Sequence, residues 1–85
     1  MILVEKDGTT YNVTVKEETS TTHTVTMSDE DYNRLSQGKC SPEELVKKSF
    51  EFLLEREPKE SILSSFNITV ISKYFPEYEE EISKR

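Results

Sequence analysis

Between Thr10 and Met27 the chain repeats with a period of two, and no other feature restricts its fold as much. Tyr11, Val13 and Val15 alternate with Thr10, Asn12 and Thr14. In a second run Val25 and Met27 stand beside His23, while Thr22, Thr24 and Thr26 take the other positions. Successive side chains of a strand point to opposite faces, so each run predicts a strand with one buried and one open face. Asp7-Gly8 supplies residues that tolerate the positive φ of a tight hairpin and joins the first run to a short strand from Ile2 to Lys6. With Glu17 to Thr21 as a polar connection, the simplest arrangement is a three-stranded antiparallel meander: Ile2 to Lys6, Thr10 to Lys16 and Thr22 to Met27.

A sheet with one apolar face needs a cover, and the rest of the chain reads as helix. Ser28 is placed to accept from free backbone amides, and Asp29, Glu30 and Asp31 suit the positive end of a helix dipole. That helix is expected to run to about Gln37, with Tyr32 and Leu35 as its apolar edge and Gly38 taking the left-handed conformation that ends it. Ser41-Pro42-Glu43-Glu44 is a second capping sequence, with Pro where its missing amide is not needed. Leu45, Val46, Phe50, Leu53 and Leu54 form a broad stripe behind it through Arg56, and Pro58 forbids simple continuation.

The last third offers conflicting signals. Ile62-Leu63 and the stretch from Phe66 to Ile71 hold β-branched residues that suit a strand. Yet Ser61 and Asn67 are each able to cap a short helix, and Ile68, Ile71 and Phe75 fit a helical stripe. Helix is the preferred reading, with a joint at Ser64-Ser65-Phe66 and a final acidic turn from Glu77 to Ile82 opened by Pro76. The expected fold is α+β, one domain over residues 1–85, strand-rich over 1–27 and helical over 28–85, with three to four α-helices.

Composition narrows the function classes. At 85 residues the chain builds one small core, and with 33% hydrophobic residues a second chain would usefully cover part of it, so a homodimer is one expectation. The 11 Lys and Arg against 17 Asp and Glu leave a formal charge of −6, with −3 in each half, so no basic arm favours non-specific attraction to nucleic acid. The single cysteine, Cys40, permits no intramolecular disulfide and points to a reducing, cytoplasmic setting. Charges follow at once after Met1-Ile2-Leu3-Val4, which reads against a signal peptide, and no stretch reaches the ~20 apolar residues of a membrane span.

His23 and Cys40 are the only side chains with soft-ligand or nucleophilic chemistry near neutral pH, fewer than the roughly four ligands of a structural zinc site. They are read as a sheet-face histidine and a loop cysteine. Glu43-Glu44 and Glu79-Glu80-Glu81 are read as a helix start and a solvated face. No catalytic, metal or cofactor site is assigned on these residues, and no enzyme is expected. Phe52 projects beside Leu45 at the edge of the helical stripe, where it is able to meet either the sheet or a partner chain.

The stretch from Thr22 to Glu57 resembles a ribbon-helix-helix module: a strand with alternating Thr22, Thr24 and Thr26, a capped helix from Ser28 to Gln37, a Gly-containing turn and a second helix opened by Ser41. The resemblance implies an intertwined dimer in which those threonines face DNA bases and the backbone amides near Ser41 hold a phosphate. The strand carries none of the Arg, Lys, Asn or Gln best suited to base edges. The tail from Ser61 to Tyr78 is similar to that of small uncharacterised bacterial proteins, a likeness that implies no activity. The favoured expectation is a non-catalytic protein-interaction protein acting through its helical surface. The alternative is a DNA-binding or antitoxin-type regulator.

Overall fold

The structure is a computed structural model that describes residues 1–85. It is α+β: a four-stranded mixed sheet, in the order β1-β2-β3-β4, and four helices that share one hydrophobic core with it. β1 (Ile2–Asp7), β2 (Thr10–Lys16) and β3 (Ser20–Thr26) form the expected antiparallel meander. The first hairpin loop is Gly8-Thr9 rather than Asp7-Gly8, and of the two only Gly8 takes a positive φ, 65°, which suits a residue without a Cβ. Thr10 Oγ1 donates to the Asp7 carbonyl at 2.8 Å and closes the turn.

The alternation sorts residues as the period demands. Tyr11, Val13, Val15, His23, Val25 and Met27 are buried, and the intervening residues form the open face. Each fully buried Val or Phe contributes about 1.5–3 kcal/mol of hydrophobic stabilisation, so this face is the main reason the sheet holds together.

α1 (Asp29–Ser36) begins as its sequence requires, with Ser28 Oγ accepting from the Asp31 amide at 3.1 Å. It ends through two consecutive left-handed residues, Gln37 (φ 53°) and Gly38 (φ 74°), so glycine is not alone in turning the chain. α2 (Pro42–Leu54) opens on a capping box. Ser41 Oγ accepts from the Glu44 amide at 3.2 Å, and the Ser41 amide donates to Glu44 Oε1 at 3.3 Å. Its Leu45, Val46, Phe50, Phe52 and Leu53 are all buried, and the Phe50 ring lies 5.3 Å from His23 and 6.1 Å from Phe66.

The tail departs from the expected helices. After a 3-10 turn at Lys59–Ser61, residues Ser65–Asn67 form β4, which runs parallel to β3 with Thr24 opposite Ser65, Val25 opposite Phe66 and Thr26 opposite Asn67. The Thr24 amide donates to the Ser64 carbonyl at 2.8 Å, and the Ile68 amide to the Thr26 carbonyl at 2.9 Å. The unfilled edge of β3 overrides the local helical stripe, because its backbone groups need partners. Ser61 caps no helix. Asn67 Oδ1 instead accepts from the Thr69 amide at 3.0 Å and from Thr69 Oγ1 at 2.8 Å, a local turn that leads into α3 (Val70–Tyr74). α4 (Tyr78–Ser83) follows Pro76 and seals the far end of the core through Tyr78 and Ile82.

Candidate functional site

Leu53 is the floor of an open apolar cleft of about 380 Å³, and eight of its ten lining side chains are apolar. Its walls come from segments far apart in the chain: Ile62 and Leu63 after the 3-10 turn, Phe66 on β4, and Val70 and Tyr74 on α3. A concavity of this size and character is at the lower end of the range for small-ligand pockets and takes two or three apolar side chains of a partner. Its rim is apolar and open, since Leu63 is 48% and Tyr74 68% exposed, and large apolar patches left open mark interaction surfaces.

Two polar features border the cleft. Glu57 and Ser61 line it, and Glu57 is half-buried yet takes part in none of the chain's ion pairs. β4 is the edge of the sheet. Its Ser64 carbonyl and the Ile68 amide bond to β3, so by the alternation of strand backbone groups Ser65 and Asn67 direct theirs outward. No turn or loop backbone bond uses those groups, and both residues are exposed.

Side-chain contacts tie the neighbourhood to the rest of the fold. His23 Nδ1 lies 2.8 Å from the Leu63 carbonyl, which only accepts, so Nδ1 carries the proton. Nε2 lies 2.9 Å from Thr21 Oγ1, so both ring nitrogens have hydrogen-bond partners. Lys59, almost fully buried, pairs with Glu60 at 2.8 Å and Glu17 at 3.2 Å, and the hydrogen bond its ammonium donates to Glu60, aided by the one to Glu17, raises its pKa. These contacts fasten the segment before the cleft to the sheet and to the loop after β2.

The residues singled out from sequence fall elsewhere. Phe52 is fully buried and is not on offer to a partner, which corrects the expectation for it. Its ring meets Tyr78 at 5.2 Å and Phe75 at 5.9 Å edge-on, and the Arg56 guanidinium lies 3.6 Å above it. Thr22, Thr24 and Thr26 occupy the open face of the sheet, but β3 has β2 on one side and β4 on the other, where a ribbon would need its twin. At the start of α2 the Ser41 amide is already bonded to Glu44, and those bonds with Ser41 hold the Glu44 carboxyl below its ordinary pKa, so an anion stands where the resemblance put a phosphate.

His23 and Cys40 belong to different parts of the fold: the histidine is under the sheet, and Cys40 is half-buried before α2, its carbonyl accepting from the Tyr32 hydroxyl. No group of three or more His, Cys, Asp or Glu side chains is arranged to hold a metal ion, and no helix is long and apolar enough to cross a membrane. The cleft itself was missed. The one signal for it was Ile62-Leu63 placed after Pro58 with no helical stripe of its own to join. Comparison with protein-family models, with curated proteins and with solved structures gives no match.

Proposed function

We propose that the protein is a non-catalytic protein-interaction module whose docking site is the cleft above Leu53, filled by apolar side chains of a protein partner. The observation that carries this reading is the exposure of Leu63 and Tyr74 at the rim of an apolar concavity that the chain's own helices leave open. Contact through this region agrees with an acidic chain acting by its helical side, and a reducing compartment keeps Cys40 a thiol. The DNA-binding alternative draws less support, because β3 is flanked by two strands of its own chain and a carboxylate occupies the start of α2.

Affinity capture of wild type beside Leu63→Glu and Tyr74→Glu, with each variant's fold checked by circular dichroism, tests the reading. A defined protein retained by wild type and lost by both folded variants is the expected result. Nothing retained, or a retained set indifferent to both substitutions, overturns it. Light scattering on the same samples reads the oligomeric state, and a dimer that both variants dissolve would make the partner a second copy.

A further inference from the structure

We infer that the cleft receives its partner as an added strand: an extended segment that pairs with the outer edge of β4, lowers alternate apolar side chains into the cleft and carries a Lys or Arg toward Glu57. This rests on the docking reading above and goes further by fixing the partner's conformation and chemistry.

Three observations converge on it. β4 is the end strand of the sheet, its Ser65 and Asn67 exposed with outward backbone groups free, so a template for one more strand is present. Phe66, between them, sends its side chain to the helical side of the sheet and lines the cleft, while no residue of β1, β2 or β3 lines it. The cleft therefore lies where the inward side chains of a strand next to β4 would fall. In strand addition, main-chain bonds supply affinity and a pocket for alternate side chains supplies selectivity, and this site has both parts. The third observation is charge: Glu57 is the one charged side chain lining a mostly apolar cavity and it has no internal cation, in a chain of net charge −6.

The test is a random 12-residue peptide library displayed on phage, selected on the full chain and counter-selected on Leu63→Glu. Expected is a consensus with apolar residues at every second position and a Lys or Arg beside them. The best peptide, made synthetically, protects the Ser65 and Asn67 amides from hydrogen exchange. N-methylation of one alternate set of its amides lowers affinity about tenfold or more while the other set is tolerated, since only one edge of the added strand bonds to β4. Glu57→Gln removes the preference for the cationic residue and leaves the apolar consensus.

A consensus of helical spacing, or N-methylation effects equal for both sets, overturns strand addition while leaving the cleft as a docking site. Selection that yields no peptide sensitive to Leu63→Glu overturns both.

Discussion

Phe52 and Leu53 are neighbours on α2, about 100° apart around the helix, and the surfaces they begin are finished in opposite ways. Phe52 is closed over by Phe75, Tyr78 and the Arg56 guanidinium, with Arg85 5.9 Å from the same ring. Leu53 opens into the cleft, where Leu63 and Tyr74 remain in solvent. Lack of covering material does not explain the contrast. The same tail that seals one surface with α4 builds the walls of the other with β4 and α3, so the two differ in what the chain leaves room for.

Substitutions on the two surfaces are expected to separate stability from binding. Phe52→Ala removes a buried ring from between two helices and should cost about 3–5 kcal/mol in urea denaturation. A loss below about 1 kcal/mol would erase the distinction between a sealed and an open surface.

Tyr78 gives the next largest effect. Ser49 Oγ already donates to the Leu45 carbonyl at 2.8 Å, so the Tyr78 hydroxyl donates to Ser49 Oγ at 2.6 Å, and burial pushes the phenol up to about 12. The folded state holds this proton more tightly than the unfolded chain. Stability is therefore unaffected below the unfolded pKa of about 10 and falls by about 2–3 kcal/mol as pH rises toward 12. Tyr78→Phe should flatten stability over that window, and an unchanged slope in the variant would assign the titration to another group.

Arg56→Ala should cost about 1 kcal/mol, through lost stacking and stem packing on Phe52 more than through its ion pairs with Glu55, Glu77 and Glu81. Raised salt discriminates the two sources, since a stacking loss persists in it. The smallest change belongs to the open surface: Leu63→Ala and Tyr74→Ala should stay within about 0.5 kcal/mol of wild type. A larger loss would make the rim part of the core.

What was legible from residues alone followed local rules. The meander, the Ser28 and Ser41 caps and the buried faces of β2 and β3 need only a period, a turn and a hydroxyl, and each is in place. β4 was not legible because three residues do not make a strand by propensity. Ser65–Asn67 is extended because β3 offers it hydrogen bonds; of the stretch from Phe66 to Ile71 that suited a strand, Phe66 and Asn67 lie in β4 while the β-branched Val70 and Ile71 lie in α3. The surroundings of Phe52 were left open between sheet and partner for a related reason. A helical wheel places it at the edge of the stripe, but α4 and Arg56, more distant in sequence or position, decide whether that edge is wet. The cleft depends on both, being assembled only once β4 and α3 are docked.

The parallel pairing of β4 with β3 also limits where the chain can be cut. A product ending before Ser65 would keep both hairpins, yet β3 would lose its outer neighbour and Phe50 the ring of Phe66. Such a fragment carries an open six-to-seven-residue edge on each side of its sheet and an uncovered aromatic beneath it. Proteolytic trimming of the tail would therefore yield a self-associating remnant instead of a smaller working domain.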